Sequence, residues 1–140
     1  MSDIVLGLCH LGLAYVLSVP IGWDREKVSR SAGIRTFPLV AVSSCAFVMM
    51  ARDVDPDTMS RVFQGIVTGL GFLGGGAILK NKDHVVGMST AAAIWLTGAM
   101  GVACGLQRYE TAVALTLICF LSLRFGKVVK GRNGDDEVAS

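Results

Sequence analysis

Hydrophobic positions fall into five runs, at residues 4–21, 37–51, 62–79, 91–106 and 111–125, divided by short polar connections. A spanning helix needs about 20 mainly apolar residues, with a range of roughly 17 to 25. The first and third runs reach that range at 18 residues each. The other three are shorter and borrow Thr, Tyr or the aliphatic stems of flanking Arg and Lys. Arg124, near the end of the fifth run, is accommodated by snorkelling towards the headgroups. The pattern predicts an all-α integral membrane protein with about five transmembrane helices. Residues 1–126 form the membrane domain, and 127–140 are a short, polar, disordered cytoplasmic tail.

Charge placement agrees with the five runs. Lys and Arg accumulate in cytoplasmic loops. The first connection carries Arg25, Lys27, Arg30 and Arg35, and the third carries Lys80 and Lys82. The last run and the tail carry Arg124, Lys127, Lys130 and Arg132. The second connection has only Arg52 and Arg61, and the fourth only Arg108. Ten cationic residues therefore lie on one side and three on the other, which puts the N-terminus outside and the C-terminus in the cytoplasm. Composition adds that 52% of the 140 residues are hydrophobic and 17% charged, against about 25% charged in a soluble domain. The small net charge of +2 sits beside apolar runs. It suits a lipid surface and gives no nucleic-acid patch.

The first run reads as a retained helix, because the acidic Asp3 precedes it where a signal peptide has a basic region. Cys9, Cys45, Cys104 and Cys119 lie inside runs without ligand-type spacing and read as small apolar residues. No cofactor and no metal-ligand set is identified, and His10 is a lone candidate ligand. The outer segment Asp53-Val54-Asp55-Pro56-Asp57-Thr58 starts like a calcium loop. Thr58 and Gln64 stand where that loop needs Gly and Glu, so the match fails. Pro56 and Asp57 read instead as the first turn of the third helix.

Glycine gives the apolar runs their character. The third holds Gly65, Gly69, Gly71, Gly74, Gly75 and Gly76, with Gly65/Gly69 and Gly71/Gly75 each one turn apart. The fourth adds Gly98, Gly101 and Gly105. Helices in lipid gain little hydrophobic energy by touching, so close backbone approach must hold them together. Tight packing of the third helix on the fourth is the expected use of these glycines. The sharper alternative is that Gly74-Gly75-Gly76 unwinds and offers carbonyls to an ion. Ser89 or Thr90 would then cap the fourth helix, ahead of Trp95, and turn its positive end towards an anion.

The connection after the first run packs six charges between Gly22 and Thr36: Asp24, Arg25, Glu26, Lys27, Arg30 and Arg35. Lys27 and Arg30 read as a solvated anchor. Asp24 lies close behind Trp23 at an interfacial belt, and a carboxylate at that depth needs a partner. Arg35, at the start of the second helix, is the expected one.

Three motifs now carry a resemblance. Gly22-Trp23-Asp24-Arg25-Glu26 with Ala32-Gly33-Ile34-Arg35-Thr36 resembles the charged loop of the MgtC/SapB family. Gly69-Leu70-Gly71-Phe72-Leu73-Gly74-Gly75-Gly76-Ala77-Ile78-Leu79 resembles its glycine helix, and Gly87-Met88-Ser89-Thr90-Ala91-Ala92-Ala93-Ile94-Trp95 its third signature. The resemblance extends over roughly residues 6–125. The resemblance implies a bacterial inner-membrane protein of about five helices, associated with growth at low magnesium and, in some members, with survival inside host phagocytes. Longer members carry a soluble C-terminal domain, and none is expected in a short form of this kind. Asp24 stands where Glu is common, and Phe37 where His is common, which removes a potential metal ligand.

Two classes of function follow. One is a small membrane regulator or subunit that works through helix–helix contacts with itself, as a homo-oligomer, or with a larger membrane complex. The other is an oligomeric transporter or channel subunit for magnesium or another small solute. No nucleophile–base set and no phosphate-binding loop supports an enzyme.

Overall fold

The computed structural model describes residues 2–29, 32–81 and 84–134. Five helices follow in order: α1 Ser2–Glu26, α2 Thr36–Arg52, α3 Pro56–Ala77, α4 Met88–Gly105 and α5 Tyr109–Gly134. Each of the five hydrophobic runs lies mostly within one helix, and the chain is an all-α membrane protein. Among the described residues α1, α4 and α5 are long and apolar enough to cross a bilayer, and α2 is a shorter apolar helix. At 22 residues α3 is long enough but is not among the three. Its glycines, Gln64 and Thr68 dilute its hydrophobicity.

Helix α4 is the axis of the bundle and packs on all four others, whereas α3 packs chiefly on α2 and α4. Two clusters fill the interior. One gathers Ile21, Phe37, Leu70, Ile94 and Cys119, with Phe37 fully buried. The other gathers Ala14, Ala41, Cys45, Met100 and Cys104. The four cysteines are free thiols, and three of them are buried.

Several expectations need correction. Helix α1 continues through Glu26, so the first half of the charged connection is the last turn of a helix. Helix α5 continues to Gly134, so the tail is helical over 127–134, while 135–140 lie outside the described residues. The α3–α4 connection contains a two-stranded antiparallel hairpin, β1 Leu79–Asn81 and β2 His84–Val86, with Leu79 opposite Val86. Leu79, expected at the end of the third helix, is in a strand.

The triple glycine does not unwind, because α3 runs unbroken to Ala77. Most of the third-run glycines do not pack α3 on α4. A Cβ added at Gly65, Gly69, Gly71, Gly75 or Gly76 would meet nothing within 4 Å, and only Gly74 lies against α4, 3.6 Å from the Ala91 carbonyl. The close approaches use the fourth-run glycines. Gly98 receives Leu70 of α3, while Gly101 and Gly105 let α4 meet α2 at Ala41, Cys45 and Val48.

The reading of Pro56 holds: it opens α3, with Asp55 as N-cap. Asp55 Oδ1 accepts from the Thr58 amide at 2.9 Å and Oδ2 from the Thr58 hydroxyl at 2.6 Å. These bonds hold its carboxyl below the ordinary value of 3.8. A carboxyl whose pKa is lowered by folding adds stability above its unfolded value and loses it as pH falls through the folded one. The first turn of α3 therefore loosens in acid. Followed by NMR as the pH is lowered, the Thr58 amide shift should titrate with a midpoint below 3.8, and a midpoint at or above 3.8 contradicts the cap.

Candidate functional site

The last turn of α1 takes the charged motif into the protein. Ile21 and Gly22 are buried, and an added Cβ at Gly22 would lie 3.0 Å from the Ile34 backbone and 3.4 Å from Phe37 Cβ. This fit draws the end of α1 against the start of α2 and carries Asp24 and Arg25 inside with it. Their side chains are 5% and 4% exposed. Arg25 donates from Nη2 to Asp24 Oδ2 at 2.5 Å and from Nε to the same oxygen at 3.2 Å. Its neighbour Arg25 is thus an ion-pair partner of Asp24. Arg35, the N-cap of α2, is exposed and makes no ion pair with it.

Glu26 is used differently. Its Oε2 accepts from the Ile34 amide at 2.9 Å. Gly33 makes the room, because a Cβ there would run into the Glu26 carboxylate. Arg35 supplies no side-chain cap to α2, so a carboxylate from α1 sits near the positive end of α2 instead. The Gly33 carbonyl starts that helix by accepting from Thr36 and Phe37 at 3.0 and 3.2 Å. Lys27 stays outside with its ammonium 5.4 Å from the Trp23 ring centroid. Arg30 lies outside the described residues.

The start of α4 lies at the same end. Gly87 is the N-cap, with φ 97° and no side-chain cap, so neither Ser89 nor Thr90 caps the helix as expected. The positive φ and the nearby Ala77 carbonyl both require glycine there. Two clefts of about 430 and 490 Å³ flank this turn, and Arg25, Val28 and Ser89 line both. The larger also includes Gly87 and Thr90. Arg25 of the charged motif and the α4-start residues therefore share one site, while Gly65, Gly69, Gly71, Gly75 and Gly76 do not line it. Trp95 is half-exposed beside Gly74, and Thr36 opens a smaller cleft of about 240 Å³ with Gly76.

The chemistry of the site is set by what is already used. Asp24 is bonded to Arg25 and Glu26 to a backbone amide. Magnesium is held through carboxylate oxygens in octahedral geometry, and no group of three His, Cys, Asp or Glu comes together among the described residues. The guanidinium and the first turn of α4 give the clefts a positive bias. The pairing of His10 also escaped the sequence. It is 2% exposed and bonds Tyr109 Oη at 2.6 Å with the rings stacked, tying α1 to α5. The two residues are 99 positions apart, and no local signal links them.

Comparison with known proteins gives the wider setting. Residues 11–132 match the model of the MgtC family. The chain is 38% identical over 111 residues to Protein MgtC of Salmonella typhimurium, covering 79% of this chain and 48% of that protein. It is 41% identical over 105 residues to Protein MgtC of Brucella abortus, covering 74% and 44%. With Protein SrpB of Synechococcus elongatus it shares 37% identity over 134 residues, covering 84% and 74%. The chain spans about half the length of the MgtC proteins it matches. No solved structure matches it.

Proposed function

Because the chain belongs to the MgtC family, we propose that it is a multi-pass protein of the bacterial inner membrane that serves magnesium homeostasis or low-magnesium adaptation. In this reading its N-terminus is outside and its C-terminus cytoplasmic, as the ten-to-three split of cationic residues favours. It acts as a small regulator or subunit, alone or in a larger membrane complex, through contacts between helices. It neither catalyses a reaction nor carries the ion.

One observation supports this role over transport. Both carboxylates of the charged motif are engaged within the fold, Asp24 by Arg25 and Glu26 by the Ile34 amide. A cation path would need those oxygens turned to the ion. The unwound glycine segment that favoured transport is a continuous helix.

Magnesium influx into proteoliposomes tests the reading, using protein whose helical circular dichroism is intact, beside Asp24→Asn. Neither protein should exceed empty vesicles. Influx by the parent protein would overturn the proposal, and its loss in Asp24→Asn would put the path at the end of α1.

A further inference from the structure

Helix α3 turns the wrong kind of surface towards the lipid. Of its 22 residues only Leu70, Gly74 and Ala77 are buried. At about 100° per residue, Gln64, Gly65, Thr68, Gly69, Phe72, Gly75 and Gly76 share an arc of roughly 140° opposite those three. All seven are exposed. A helix that meets acyl chains presents large aliphatic side chains. This arc presents four glycines, a hydroxyl and an amide, and Phe72 is its one large apolar group.

Three further features of the arc point to what covers it. The Gln64 side chain has two donors and an acceptor oxygen, and among the described residues none of them is bonded. In hydrocarbon such a group requires a partner. The Thr68 hydroxyl already donates to the Gln64 carbonyl at 2.8 Å. Towards the outer end, Asp57 and Arg61 stand one turn apart on the same face, and neither forms an ion pair among the described residues. Phe72 is 81% exposed at the rim of an apolar groove of about 520 Å³ between α2 and α3, which Val40, Phe47, Gly65 and Gly69 also line.

We propose that this face of α3 is the contact surface for a second copy of the chain, packed α3 against α3 across a two-fold axis normal to the membrane. Two copies with the same topology can be related only by such an axis, so the two α3 helices run parallel. Gly65 and Gly69 then allow close backbone approach. Gln64 meets Gln64 of the second copy at the same depth, where each amide can both donate and accept. Helical side chains lean towards the N-terminus, so Arg61 reaches back to the level of Asp57 on the other copy. Phe72 enters the groove beside the opposing glycines. The inference rests on the helix-contact role proposed above and names its surface. Its readout is association itself, so its failure is distinct from a magnesium flux.

The test is single-molecule photobleaching of the full chain in bilayers at high lipid dilution, with Gly65→Ile/Gly69→Ile and Gly12→Ile alongside. An added Cβ at any of these positions meets nothing within 4 Å, so all the variants should fold. The parent and Gly12→Ile should bleach mainly in two steps. The double variant should bleach in one, with its dimer fraction reduced at least tenfold and its helical circular dichroism unchanged. A monomeric parent, an unaffected double variant or an equal loss in Gly12→Ile would each overturn the proposal.

Discussion

Gly101→Val forces α4 away from α2 and costs the protein most of its stability. An added Cβ at Gly101 collides with the Ala41 carbonyl oxygen and lies 3.0 Å from the Ala41 C and Cα atoms. One turn on, a Cβ at Gly105 would be 2.8 Å from both the Cys45 carbonyl and Val48 Cβ. The obstacles are mostly backbone, which cannot swing aside as the tip of a long side chain can. Overpacking typically costs about 1–3 kcal/mol and occasionally more, and a clash between two helix backbones belongs at or above the top of that range. In thermal unfolding in detergent, Gly101→Val should lower Tm by about 10 °C or more. Gly12→Val, where an added Cβ meets nothing within 4 Å, should leave Tm unchanged or raise it. Equal tolerance of the two substitutions would contradict the packing described here.

Breaking the Asp24–Arg25 pair has an effect of similar size for an electrostatic reason. Both side chains are almost fully buried. Removing the Asp24 carboxylate leaves the buried Arg25 charge without its ion-pair partner, at about 3–5 kcal/mol. The Arg52–Asp53 pair provides the contrast. It is spaced at 3.4 Å, and its side chains are 36% and 79% exposed, so its loss should cost no more than about 1 kcal/mol. Asp24→Asn and Arg25→Gln should both unfold well below the parent, whereas Asp53→Asn should be close to it.

The five helices were legible because each is built on a long apolar run free of charged residues at its centre, and the N-cap of α3 because Asp55-Pro56 is a local signal. What lay between elements was harder to read. The charges at the end of the first run looked like a loop, since hydropathy registers polarity and not whether the helix continues beneath it. Nothing local marked Arg25 as a partner of Asp24, since adjacent side chains on a helix ordinarily diverge. Burial of both groups, which the sequence does not reveal, brings them together. Glycine spacing marks a helix face as thin without saying what approaches it. Gly101 and Gly105 receive α2, and Gly65 and Gly69 receive nothing in this chain. The union of the charged motif with the start of α4 depends on tertiary packing alone.

The central claim is that the two inner charges of the motif, Asp24 and Arg25, are buried as one unit in the last turn of α1. A double-mutant cycle tests it most directly, with equilibrium unfolding of Asp24→Asn, Arg25→Gln and the double variant in lipid bicelles. If the two side chains form one buried unit, the double variant should cost at least about 2 kcal/mol less than the sum of the single variants. Costs that add to within about 0.5 kcal/mol would mean that the two charges act separately, and would contradict the account.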